Sequence, residues 1–268
     1  MHPQLIRCPA LGPGYTPITR AGEATADTGF DFGVLRLEAG ETYQVPGERE
    51  TAVLLMDGEV TFSLGGERLT RRRGSLFDED PVVLHVDAGA QLGLVAGAGC
   101  ELALLRAENP RGFATRLFEG DGLLERSEHR GRGLLDDAAH RVVRTVFDRR
   151  NRPESNLVLG EVITFPGRWS SYPPHHHPQP EIYHYRFTDP RGYGHGELGD
   201  EVLRVRHGDT VKILEGQDHA QAAAPGYGMY YLWAIRHLPA APYTVPEHAE
   251  EHRWLLEPDA PFWRPGQR

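Results

Sequence analysis

WSSYPPHHHPQPEIYHYRF, residues 169–187, joins two strand-like runs through a histidine cluster broken by prolines. It sets His175, His177 and Glu181 in an H-x-H-x3-E array, and His219 follows 38 residues beyond Glu181 in GDTVKILEGQDH. Side chains alternate across a strand, so His175 and His177 share a face and can reach one ion, whereas His176 faces the other side. A carboxylate four residues on, past a Pro-bearing turn, can close the site from the neighbouring strand. Three imidazoles and one carboxylate suit one divalent transition metal ion (Zn, Mn, Fe, Co or Ni) and leave positions open for a substrate. Histidine tracts also occur in tags and adventitious patches. This one is internal, is flanked by aromatic strand formers, and is matched by a second patterned segment carrying Gly208, Gly216 and His219.

On both sides lie further short runs of strand character. FGVLRLEAG, TAVLLMDGEVTFSL, PVVLHVDAG, CELALLRA and LVLGEVITF precede the cluster; EVLRVRHGDTVKIL and GMYYLWAIRHL follow it. Alternation with closely spaced turn signals predicts an all-β chain of the sandwich or barrel type. Helical signal is weak. Its best candidate is LLDDAAHRVVRTVF, residues 134–147, which reads equally as a connector.

The two halves echo one another. Gly40, Glu50 and Gly58 precede GSLFDEDPVVLHV in the first, as Gly167 and Glu181 precede GDTVKILEGQDHA in the second, which predicts a duplicated β-barrel. The first copy offers only Glu50 and His85 at comparable places, too few for a metal site. The polar stretch ERSEHRGRGLLDD puts a boundary near residue 130, giving a first domain of residues 1–130 without metal and a metal-binding domain of residues 131–268.

With 268 residues, 39% hydrophobic and 25% charged, the chain can bury a proper core. A net charge of −9 argues against nucleic-acid binding. The N-terminal MHPQLIRCPALGPG lacks a basic region followed by an apolar stretch, and no run approaches a membrane span. Cys8 and Cys100 lack metal or redox spacing, so a cytoplasmic protein without membrane contact is expected. Lys212 is the only lysine, which argues against Schiff-base chemistry.

These motifs resemble the cupin superfamily, whose first motif ends in H-x-H-x3–4-E and whose second ends in G-x2-H; the second motif's usual Pro is Leu214 here and its terminal Asn is Ala223. WSSYPPHHH, EIYHYRF, GYGMYYL and RGRGLLDDAAHRVVRTVFD, with GYTPITRAGEA near the start and EEHRWLLEPDAPFW near the end, resemble the 5-deoxy-glucuronate isomerase family of myo-inositol catabolism. The resemblance implies two tandem cupin barrels of the double-stranded β-helix or jelly-roll type. It also implies a metal site at His175, His177, Glu181 and His219, and metal-dependent aldose–ketose isomerisation of a sugar acid, 5-deoxy-glucuronate to 2-deoxy-5-keto-gluconate. The chain departs from that family at Gln217–Ala220 and Trp233–Pro239.

Strand parity supplies the surroundings. If Glu181 faces the barrel interior, so do Tyr183 and Tyr185, candidate catalytic or hydroxyl-binding groups, while His184 and Arg186 point away. Gln221 shares the face of His219. In YYLWAIRH either Tyr231 and Trp233 or Tyr230 and Arg236 face inward. Arg236 and Lys212 are candidates for a substrate carboxylate, and Glu161 for the second N–H of a ligand histidine. Competing readings are a 5-keto-4-deoxyuronate isomerase, a cupin oxygenase and a non-catalytic sugar-binding bicupin. Cupins commonly pair through sheet edges, so a homo-oligomer is compatible with the pattern.

Overall fold

A computed structural model describes residues 2–8 and 11–266, and in it strands dominate, with three short 3-10 helices among the described residues. The first barrel is an eight-stranded sheet in which Gly14–Thr19, Asp31–Leu37, Leu92–Ala107, Glu50–Leu64, Val82–Val86 and Arg116–Phe118 lie in that order. Its two longest strands, Glu50–Leu64 and Leu92–Ala107, run antiparallel and bend together at register shifts beside Gly58. Gly58 has φ +90°, and a Cβ there would stand 2.0 Å from the Gly99 carbonyl oxygen. Only glycine lets the two backbones approach this closely.

The second barrel closes a seven-stranded sheet on a five-stranded one. The larger sheet runs Leu5–Ile6, Thr210–Ile213, Glu181–Phe187, Met229–Arg236, Leu157–Thr164, Arg141–Phe147, Glu125–Arg130; the smaller runs Glu201–Arg206, Tyr193–Leu198, His219–Ala223, Trp169–His176, Glu247–His248. Tyr183, Tyr185, Phe187, Val211, Ile213 and Tyr231 fill its interior. The outer face of the larger sheet, with Ile182, Leu232 and Ala234, packs on Phe32, Leu54 and Leu105 of the first barrel. Glu181–Phe187 is therefore covered on both faces and buried at every position, and its polar His184 and Arg186 are hydrogen-bonded to Thr210 and Glu101 instead of facing solvent.

Two expectations need correction. The segment 134–147 holds no α-helix: Leu135–Asp137 form a 3-10 turn with positive φ at all three residues, and Arg141–Phe147 is a strand. Val142, Val143, Thr145 and Val146 supply the β-branched side chains that favour it. The division at residue 130 is crossed in both directions. Glu125–Arg130 pairs with Arg141–Phe147 of the second barrel, and Leu5–Ile6, from the other end of the chain, pairs with Val211 and Thr210. Glu50 and His85, too few for a metal site as expected from the sequence, also face away from the first barrel's interior, unlike Glu181 in the second. They share the face of Ala52, Leu54 and Val83, toward the other barrel. There Glu50 accepts from Ser155, Asn156 and Asn109, and His85 stacks on Phe113 and Phe147.

Candidate active site

The histidine strand meets its neighbour across a large bulge. Ser170 pairs with Gln221 and His175 with His219, so the strand Trp169–His176 advances five residues while its partner advances two. The excess turns Ser171 inward, where its Oγ lies 3.1 Å from Tyr183 Oη and 3.0 Å from Tyr231 Oη. Tyr231 Oη also donates to Ser170 Oγ (3.0 Å).

Among the described residues, His177, Glu181 and His219 form the group whose potential ligand atoms all lie within 4.8 Å of one another, and all three are buried. His177 Nδ1 lies 3.0 Å from the Gln179 carbonyl and His219 Nδ1 lies 3.0 Å from the Gln217 carbonyl. A carbonyl only accepts, so each Nδ1 carries the proton and each Nε2 presents a lone pair. Both Nε2 atoms then aim at Glu181 Oε2, at 3.1 and 3.4 Å. His219 Nε2 is buried with no hydrogen-bond partner. Three converging lone-pair atoms repel one another unless a cation lies among them, and the set of donors is one that divalent transition metals accept. The residues present therefore fit a metal ion.

His175 stands beside this group, its ring 4.3 Å from that of His219. Burial holds its imidazole well below the ordinary histidine range, with the neighbouring His219 and His177 adding to the effect, so it is neutral as a ligand must be. His176 points outward, as strand parity required, to Asp218 at 2.7 Å.

The cluster opens on a cavity of about 470 Å³ lined by His175, His177, Glu181, Tyr183, Tyr231 and Trp233. Of the two parities open in YYLWAIRH, the one with Tyr231 and Trp233 inward is realised. Gly160 makes room for the indole: a Cβ there would stand 2.4 Å from Trp233. Tyr183 and Tyr231 are stacked at 4.5 Å. Burial pushes the Tyr231 phenol up to about 12.

Other expected residues lie elsewhere. Tyr185 does not line the cavity; its Oη donates to Gln221 Oε1 (2.7 Å), and the two satisfy each other deeper in the barrel. Lys212 alternates with Val211 and Ile213, so it leaves the interior and pairs with Glu23. Arg236 lies over Gly29, where a Cβ would stand 3.0 Å from its Nη1. Glu161 is on the outer face of its strand, opposite the cavity-lining Val162. It forms a two-pronged pair with Arg73 of the first barrel (2.7 and 2.8 Å) and accepts from Tyr230 Oη (2.8 Å). Lys212, Arg236 and Glu161 were read from type and approximate parity, without knowledge that the other face of the sheet is also buried.

The cavity's cationic wall was missed. Arg130, Arg141, Arg149 and Arg150 line it together with Asp148. Their signal was present in ERSEHRGRG, AHRVVRT and VFDRRN, but the first read as a domain boundary and the second as a weak helix or connector, because nothing in them shows that they flank a strand pair of the second barrel.

The fold and site define a bicupin with one candidate metal centre among the described residues, in the second barrel. The chain belongs to the KduI/IolB family, whose model matches residues 8–255. It is 28% identical over 247 residues to a 5-deoxy-glucuronate isomerase of Geobacillus kaustophilus, covering 84% of this chain and 85% of that protein. An IolB-like protein from Salmonella typhimurium LT2 superimposes with a TM-score of 0.81 at 25% identity, covering 94% of this chain and 98% of that one. A single-substitution variant of oxalate decarboxylase from Bacillus subtilis shares the fold with a TM-score of 0.63 at 13% identity, covering 92% and 78%. No helix among the described residues is long and apolar enough to cross a membrane.

Proposed function

We propose that this chain is the isomerase that converts 5-deoxy-glucuronate to 2-deoxy-5-keto-gluconate, as the name of its Geobacillus relative suggests. The observation that supports it best is the convergence of His177 Nε2, His219 Nε2 and Glu181 Oε2 at the floor of a cavity walled by phenols and guanidinium groups. His177, Glu181 and His219, with His175 beside them, would hold one divalent ion of the Zn, Mn, Fe, Co or Ni group. Such an ion supplies Lewis-acid polarisation of a carbonyl and acidifies the adjacent hydroxyl, which is what moving a hydrogen between C1 and C2 of an aldose demands.

The chain's own residues do the rest. Tyr183 and Tyr231 offer O–H groups at the cavity wall, tied together through Ser171 Oγ, and so present a fixed pair of partners for sugar hydroxyls. Trp233 supplies an apolar wall on which a sugar face can rest. Tyr243, from the segment following the last long strand, packs edge-on against His177 at 5.0 Å and narrows access of water to that side. The reaction is a net isomerisation, so no oxidant or reductant is consumed.

The test is proton NMR of the metal-loaded chain with 5-deoxy-glucuronate and 5-keto-4-deoxyuronate, alongside a Glu181→Gln variant. Conversion of the first by the wild type, with metal content and turnover both lost in the variant, is expected. Turnover that survives the loss of metal, or no conversion of 5-deoxy-glucuronate by metal-loaded wild type, refutes the proposal.

A further inference from the structure

Four guanidinium groups line the cavity, and their partners separate them. Arg130 is bound to Glu128 (2.7 Å) and Arg150 to Asp148 (2.8 Å), so their charge is largely answered within the chain. Arg149 is exposed. Arg141 differs from all three. It projects from the same face of its strand as Val143 and Thr145, which also line the cavity. Its Nη1 donates to the Ala139 carbonyl at 2.9 Å, and it has no carboxylate partner among the described residues. Burial lowers its affinity for a proton, and its charge is felt by His175, Tyr183 and Tyr231. A largely buried cation without a counter-ion is costly unless something anionic arrives to pair with it.

We infer that Arg141 is the carboxylate anchor of this site: it binds the carboxylate of an aldehydic sugar acid by its free guanidinium edge and thereby selects uronates over neutral sugars. This rests on the sugar-acid reading above. The anchoring bond to Ala139 fixes the plane of the guanidinium, leaving other N–H groups for a two-point contact with a carboxylate. In 5-deoxy-glucuronate that carboxylate sits at the opposite end of a six-carbon chain from the aldehyde. Arg141 and the His177–Glu181–His219 group would thus grip the two ends of one molecule, fixing which carbons face the reactive floor. The expected anchors Lys212 and Arg236 cannot serve, since both lie on the face of the sheet turned to the first barrel.

The experiment is calorimetric titration of the metal-loaded full chain with D-glucuronate and, separately, D-glucose, for wild type, Arg141→Gln and Arg141→Lys, with metal content measured on each. Wild type is expected to prefer the uronate. Arg141→Gln should weaken uronate binding about 10²-fold, the usual consequence of truncating one partner of a buried charge pair, and should abolish the preference. Arg141→Lys, which keeps the charge and loses the fork, should recover part of it. A purely structural role would weaken both ligands together. Uronate binding unchanged in Arg141→Gln, an equal loss for glucose, or no uronate preference in wild type overturns the inference. Wild type that prefers uronates in this titration but converts none by NMR would sink the isomerase reading and leave the anchor standing.

Discussion

Glu161→Gln separates two accounts of one residue. As a partner of a ligand histidine, its loss would lower metal affinity about 10- to 100-fold. The structure puts it instead between the barrels, fully buried, with both oxygens on Arg73, a hydroxyl from Tyr230, and Arg144 Nη1 at 3.5 Å from Oε2. Burial alone would lower the Arg73 guanidinium; the Glu161 carboxylate more than offsets this and holds it above its ordinary value. An amide keeps the volume and the Tyr230 hydrogen bond but leaves two cations facing a neutral group. Breaking one side of a buried pair costs about 3–5 kcal/mol. For a chain of this size roughly 2–4 °C of Tm follows each kcal/mol, so a fall on the order of 10 °C is expected. Differential scanning fluorimetry of the metal-loaded protein measures it, with metal affinity determined in parallel. A Tm within about 2 °C of wild type, or a tenfold loss of metal affinity at unchanged Tm, would refute this placement. The double variant Arg73→Met/Glu161→Leu, which removes the Arg73–Glu161 pair and leaves Arg144 on the Leu76 and Phe77 carbonyls, should recover part of the lost stability.

Two other perturbations follow from the cavity. His237 Nδ1 accepts the backbone N–H of Tyr243 at 3.0 Å, and burial lowers the imidazole to about 4, against about 6.5 in an unfolded chain. Because the folded value is depressed, its contribution is full above about pH 6.5 and is lost as the pH falls toward about 4. Urea-unfolding midpoints should decline across that window and do so less in His237→Asn; an identical decline in the variant would rule this group out. Gly160→Val should push the Trp233 indole from its seat and into the cavity, raising KM by about tenfold or more with only a modest effect on Tm, since an overpacked site costs about 1–3 kcal/mol. Altered tryptophan fluorescence with unchanged kinetics would show that Trp233 has no role in binding.

Much of this molecule was readable along the chain because the relevant chemistry is local. Alternation of side chains on a strand brings His175 and His177 to one face and sends His176 to the other, whatever surrounds them. The same rule placed Tyr183 with Glu181 and left His184 and Arg186 outside the barrel. There they serve the contact between barrels: Arg186 Nη2 donates to Glu101 Oε1 at 2.6 Å. The motif residues carried the resemblance to a fold family, and the alternation and turn signals around them carried the all-β class.

What the linear pattern left open depended on which face of each strand is covered, and by what. Parity says that Glu161 and Val162 point opposite ways but not which way is inward; packing of the first barrel on the seven-stranded sheet settled that, turning Glu161, Lys212 and Arg236 toward the interface. Glu50 and His85 faced the same ambiguity and fell on the same side. Arg141 became visible as a largely buried cation of the cavity, without a carboxylate partner among the described residues, only once Glu125–Arg130 and Arg141–Phe147 were seen to form one edge of the second barrel. A strand's own sequence fixes the alternation of its side chains, whereas burial and charge compensation belong to pairs of elements distant in sequence. The candidate ligand residues were therefore legible in residues 169–187 and 219, and the arginine wall of the cavity awaited the assembled barrels.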